Sequence, residues 1–319
     1  MQEFLQAITN LTQTPIAIWI VALIFAFAAG MFVMDLRSPR FFSVAIIGFP
    51  RAGKTTLIVS LFAEILAGRM KKVQGKLLTR DTIERVENGI ATLMKGNPIG
   101  PTKYRDTVAF RTEIELGTWL KKRYRVEIAD FPGAMSEELA DGAIQPLLDP
   151  DFARWVNEAD AFIFVVDMAR CLSGDRSSDR INNEYVSDMI AAIRAAWQNT
   201  LNHHSAGEKK LKSFPVVLTF TKSDLVNFLG DARNANTTES IQAYGFEKLP
   251  GVPGKVTIDL QRFEQERGTL INAFSDLRNF FIQTNRNYSE VFTSSLGVID
   301  GNRLGFENLL KAVLPTHPL

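Results

Sequence analysis

Residues 48–55 read Gly-Phe-Pro-Arg-Ala-Gly-Lys-Thr, the spacing G-x-x-x-x-G-K-[ST], and they follow a strand-like apolar run at 42–47. A strand feeding a glycine turn and then a helix aims consecutive backbone N–H groups at one point, which is the geometry that cradles phosphates. Gly48 and Gly53 relieve the turn of Cβ atoms where the backbone must approach closely. Lys54 has the reach for β- and γ-phosphates, and the Thr55 hydroxyl suits Mg²⁺, with Thr56 following in the same helical turn. The alternative is a chance glycine turn before an ordinary helix over 55–67, and it leaves the ordered set of strand, loop, lysine and hydroxyl unexplained.

The rest of the chain repeats the strand-then-helix rhythm. Residues 123–129 alternate as a strand that delivers Asp130-Phe131-Pro132-Gly133 to its C-terminal end, where ligands collect in open α/β sheets. Asp130 is thereby a candidate Mg²⁺ holder and the Gly133 N–H a candidate γ-phosphate contact. Residues 161–167 are almost wholly apolar, as a parallel strand covered on both faces requires, and 214–220 form another. Helical stretches at 182–197 and 260–281 supply covering layers, and 108–116 pairs with 123–129 as a hairpin. The expected fold is α/β, a three-layer P-loop NTPase fold with a mostly parallel sheet.

The strand 214–220 runs into Thr221-Lys222-Ser223-Asp224. A carboxylate at Asp224 can accept both N1–H and N2–H₂ of guanine, a donor pair that adenine lacks on that edge, while the Lys222 stem can lie over the purine. With Ser294-Ser295-Leu296 after Glu290-Val291-Phe292, these stretches make the chain resemble the Ras-like class of regulatory GTPases over about 41–314. The resemblance implies GTP/GDP and Mg²⁺ as ligands, Thr221 to Asp224 as the base-reading loop, and Ser294 and Ser295 as the last base-contacting loop. That loop commonly reads Ser-Ala-Lys; the departures at Ser295 and Leu296 imply contact mainly through backbone N–H.

The resemblance also calls for a first-switch threonine just before the strand that pairs with the one ending at Asp130. Thr107 fits, with Thr102 the alternative, and either would serve Mg²⁺ and the γ-phosphate. The glutamine that often follows the switch glycine and orients water is replaced by Ala134, so slow intrinsic hydrolysis is expected unless Ser136, Glu137 or Glu138 takes that part. Arg51 stands where dimerising GTPases similar to guanylate-binding proteins carry a charge-stabilising arginine, which makes it, with Lys54 and Thr107, a catalytic candidate through self-association; the plainer reading is a solvent-facing side chain.

Before the nucleotide domain, residues 16–34 are nineteen in a row without a charge. At about 1.5 Å each they nearly cover the roughly 30 Å of bilayer hydrocarbon. Trp19 sits near one end, and Arg37 and Arg40 follow the run, which by the positive-inside bias puts the C-terminal bulk in the cytoplasm. A cleaved signal peptide competes through Ala26-Phe27-Ala28, yet the preceding segment holds Glu3 and no Lys or Arg; a helix buried in a soluble domain is the other alternative. The expected organisation is a short segment 1–15, a transmembrane helix 16–34, and a cytoplasmic GTPase domain 35–319 with insertions near 68–103, holding an extra helix at 82–94, and 228–258. One span before a GTPase domain is similar in layout to the signal-recognition-particle receptor beta subunit.

A net charge of +1 gives no reason to expect nucleic acid; Lys71-Lys72 and Lys209-Lys210-x-Lys212 suit solvent or lipid headgroups. Cys171 is the single cysteine, and His203, His204 and His317 offer no zinc spacing with it. The expected function is a membrane-anchored GTP switch that hydrolyses slowly and recruits or assembles a protein effector or a second copy at the bilayer. A nucleotide-binding scaffold with little turnover is the runner-up, followed by an ATP-driven component of a membrane complex, which has no use for Asp224, and a small-molecule kinase, for which the only hint is the insertion at 82–100.

Overall fold

The computed structural model describes residues 19–27, 30, 39–95, 99–100, 108–117, 121–131, 155–172, 181–204, 206–224, 256–295, 297–299 and 302–314. Strand β1 (Arg40–Gly48) and helix α1 (Lys54–Leu66) come first, then β2 (Val73–Leu77), α2 (Arg80–Met94), β3 (Val108–Leu116) and β4 (Lys122–Asp130). The second half holds β5 (Ala161–Asp167), α3 (Met168–Cys171), α4 (Asn183–His203), α5 (Glu208–Leu211), β6 (Pro215–Thr221) and β7 (Val256–Thr257). It closes with α6 (Leu260–Ala273), α7 (Ser275–Thr284), β8 (Asn287–Phe292), β9 (Gly297–Ile299), β10 (Asn302–Arg303) and α8 (Phe306–Val313).

Seven strands form one sheet in the order β2-β3-β4-β1-β5-β6-β8, and β10-β9-β7 form a second, small one. From β4 to β8 every pairing is parallel; β3 joins as the antiparallel partner of β4, Val108 opposite Asp130 and Leu116 opposite Lys122, as the hairpin expectation required. Alternation within the strands separates two cores. On one face Phe162, Phe164, Val216, Leu218 and Phe220 pack against Trp197 of α4 and Phe274 and Phe281 around α7. On the other, Val44, Ile46, Ile163, Val165 and Val217 meet Leu57, Leu61 and Phe62 of α1 and Leu309 and Val313 of α8. Each such large side chain contributes about 1.5–3 kcal/mol on burial, so the two helical layers hold the strand ends in fixed register.

Three elements depart from the sequence reading. The helix expected over 260–281 is two helices: Phe274 takes φ −94° and ψ 13° and drives its fully buried ring edge-on against Phe220 at 5.2 Å. Helix α4 runs on to His203, where the His204 imidazole bonds the Ala159 carbonyl at 2.9 Å and ties the helix end to the start of β5. Within the insertion expected near 68–103 lies the unexpected β2, which extends the sheet, while α2 is the helix expected at 82–94, capped by the Thr79 hydroxyl accepting from Thr82 N–H.

Residues 19–27 are helical and each is exposed, Trp19 by 75%. Among the described residues no helix is long and apolar enough to cross a membrane. Most of the rest of the expected 16–34 span, the segment 1–15 and nearly all of the 228–258 insertion lie outside the described residues.

Candidate functional site

Five chain segments meet at the C-terminal ends of the parallel strands. Gly48 ends β1, and its constraint is packing: an added Cβ would stand 3.0 Å from both the Cβ and the carbonyl oxygen of Val165 in β5. Gly53 has the other kind of constraint, φ +87°, in the left-handed region that lets the turn deliver α1. Arg51 shares that region at φ 64° without being glycine, at a cost of about 1–2 kcal/mol, and its side chain is exposed. Strain of this kind collects where geometry serves a ligand.

The first turn of α1 has no acidic residue and no side-chain cap, an N-terminus whose dipole suits an anion. Lys54 is buried and its ammonium folds back on the loop, donating to the Gly48 carbonyl at 2.6 Å and the Phe49 carbonyl at 3.3 Å. Thr55 donates from Oγ1 to Oδ2 of Asp130 at 2.6 Å, across 75 residues of sequence, and Thr56 beside it is half-buried. A hydroxyl and a carboxylate side by side are the oxygen donors Mg²⁺ takes from a protein that leaves its remaining positions to phosphate and water. The residues therefore fit that ion.

The base loop is wired more heavily. Thr221 donates to the Ala52 carbonyl at 2.6 Å and approaches the Val166 carbonyl at 3.2 Å, so one hydroxyl couples the end of β6 to the phosphate loop. Lys222 sits at φ 60° with its ammonium on Oδ2 of Asp167. Asp224 is buried, and that burial pushes its carboxyl above the usual range, an effect opposed by the hydrogen bond from Ser294. Ser294 also accepts from Gly297 N–H at 2.6 Å, and Ser295 next to it is half-buried. The Ser294 hydroxyl of the last loop donates to Asp224 and so orients its carboxylate.

Asp167 is the residue that sequence reasoning passed over. It ends β5, accepts from Ala169 N–H at 3.0 Å to start α3, and anchors Lys222. A lone acid closing an otherwise apolar buried strand was the available signal. Thr107, Thr102, Gly133, Ala134, Ser136, Glu137, Glu138 and Leu296 lie outside the described residues.

The model of the Double-GTPase 2 family matches residues 43–267, a stretch that includes the phosphate loop, Asp130 and the Thr221 to Asp224 loop. No curated protein matches. Among solved structures, a bacterial selenocysteine-specific elongation factor, EF-Sec, aligns over 86% of this chain and 28% of its own, at 14% identity and a TM-score of 0.37. The chain therefore spans under a third of that protein's length, and a likeness this slight carries no argument. The family match covers well over half of the sequence and falls on a doubly covered, mostly parallel sheet whose strand ends hold the phosphate loop: this chain belongs to the Double-GTPase 2 family of P-loop GTPases.

Proposed function

We propose that this chain is a membrane-anchored GTP switch that hydrolyses slowly and assembles a protein partner, or a second copy of itself, at the bilayer. The observation that carries the nucleotide part is the junction of two prepared contacts on one sheet end: the Thr55 hydroxyl on Asp130 and the Ser294 hydroxyl on Asp224. In this reading Lys54 turns from the Gly48 and Phe49 carbonyls to the β- and γ-phosphates, and the first N–H groups of α1 hold the same oxygens. Thr55 and Asp130 hold Mg²⁺, which when bound offsets charge on those phosphates; Thr107 and the Gly133 N–H are the proposed switch contacts. Asp224 accepts N1–H and N2–H₂ of guanine, with Thr221, Lys222, Ser294 and Ser295 shaping the base site.

The membrane part is supported by the charge-free run 16–34 followed by Arg37 and Arg40, and it puts the GTPase domain on the cytoplasmic side. Arg51, exposed on the phosphate loop, is the candidate for charge stabilisation on self-association. Competition among GTP, GDP, ATP and XTP on the full chain tests the base assignment. Guanine preference is expected, and Asp224→Asn should weaken it about 10- to 100-fold, the worth of one charged hydrogen-bond pair; an unchanged preference would move the role elsewhere. Hydrolysis per protomer that is low and flat across protein concentration would favour the runner-up, a nucleotide-binding scaffold, which Ala134 also suits.

A further inference from the structure

The end of the sheet opposite the nucleotide site carries a charge imbalance that the chain's net +1 conceals. Arg40 lies opposite Tyr124, Leu116 opposite Lys122 and Val73 opposite Leu116, so the start of β1, the β3–β4 hairpin and the approach to β2 share this end. Arg40, Lys71, Lys72, Lys121, Arg123 and Arg125 are all exposed there. Acids share this end as well: Glu113 pairs with Lys76 and Arg125, Glu115 with Lys121 and Arg123, and Glu158 and Asp160 stand beside Ser43 before β5, so the basic side chains still outnumber them. The second basic cluster arrives at the same end, because Pro215 pairs with Asn287 and the Arg286 N–H bonds the Lys212 carbonyl at 2.8 Å.

Two features shape this face for headgroups. A groove of about 290 Å³ opens between Lys71, Lys72 and Lys121, with Glu115 also in its wall and paired to Lys121; Gly117 N–H joins the walls to the Lys72 carbonyl at 3.0 Å, with Lys72 held at φ 63°. At the same end of the sheet, on β1, Phe41 is 77% exposed and bears the Arg125 guanidinium 5.5 Å above its ring, the aromatic and basic pairing of a membrane interface. The apolar run 16–34 ends only six residues before β1 begins on this end of the sheet, so a bilayer is the surface within reach.

We infer that this basic end is a docking face for an anionic lipid leaflet, which holds the GTPase domain with its nucleotide site turned away from the membrane. The inference rests on the membrane-anchored reading above. A cluster of basic residues next to a span binds acidic headgroups, and each contributes about a fivefold factor in partition.

The test is amine acylation of the full chain in nanodiscs of phosphatidylcholine alone or with about 30% phosphatidylserine, read residue by residue by mass spectrometry. Lys71, Lys72, Lys121 and Lys210 should label about fivefold more slowly in the anionic discs, and about 0.5 M salt should abolish the difference. In the double variant Lys71→Glu with Lys72→Glu, which leaves the nucleotide site intact, protection at Lys121 and Lys210 should be lost while GTP affinity stays. Equal labelling in both discs by a chain that does embed overturns the docking face alone and leaves it to an acidic protein partner. Failure to embed in either disc overturns the membrane-anchored reading and the docking face together.

Discussion

The two halves of the nucleotide site are prepared in different ways. On the phosphate side, Lys54 is folded onto the Gly48 and Phe49 carbonyls and Thr55 is turned to Asp130, so an arriving ligand must replace internal bonds. On the base side, Thr221, Lys222 with Asp167, and Ser294 with Asp224 form a network that needs no rearrangement. The phosphate half depends on backbone geometry at Gly53 and Arg51, and the base half on side chains from β5, β6 and β8. The proposed switch would use this asymmetry: a half that senses the γ-phosphate must have two states, while a half that chooses the base gains specificity from being rigid.

Removing the cation of the phosphate half should break the comparison most strongly. Lys54→Ala deletes a buried charge that in the bound state makes charge-assisted bonds of about 1.5–3 kcal/mol each, so GTP affinity measured by calorimetry should fall 100-fold or more with guanine preference retained. Retained affinity would mean the phosphates sit elsewhere. Next is Thr221→Val, which removes the hydroxyl donor from the Ala52 carbonyl and cuts a side-chain link between the halves. It should cost about 1–3 kcal/mol in urea unfolding and weaken GTP and GDP alike.

Asp167→Asn sharpens the comparison from within the base half. Its partner Lys222 is partly exposed, so the loss should be no more than about 1 kcal/mol in guanine-nucleotide affinity, with hydrolysis per bound GTP unchanged. The smallest effect is set by pH. Burial holds the Asp224 proton to a higher pH in the folded chain than in the unfolded one, so this group adds stability below its ordinary value and loses it as pH rises through the raised one. In the proposed function guanine recognition uses the carboxylate, so on acidification guanine preference should fade at a higher pH than an ordinary aspartate would give. Nucleotide competition across mildly acidic pH reads this directly, and a preference that is flat through that range would argue against Asp224 as the reader.

The readable parts of the site were those written in consecutive residues. The phosphate loop, the apolar run of β5 and the hairpin of β3 with β4 all appear in the structure close to where periodicity placed them. The break at Phe274 was invisible, because helical periodicity continues through it and the cause is a contact with Phe220 on a different element. The packing constraint on Gly48 was equally invisible, because the neighbour that excludes a Cβ there is Val165, more than a hundred residues on in the chain. Asp167 went unassigned because its partner Lys222 is 55 residues away.

The amino-acid order alone determined that a phosphate-binding turn follows the first core strand, that the sheet is mostly parallel, and that an acid at 224 follows a buried strand; each is a matter of local spacing and the side-chain period of a strand. Only the tertiary structure decided which groups hold one another: Thr221 on Ala52 across 169 residues, Ser294 on Asp224 across 70, and two separate basic clusters on a single end of the sheet. Such pairings depend on strand order and register, which arise from packing the whole chain at once and have no signature in any short stretch of it.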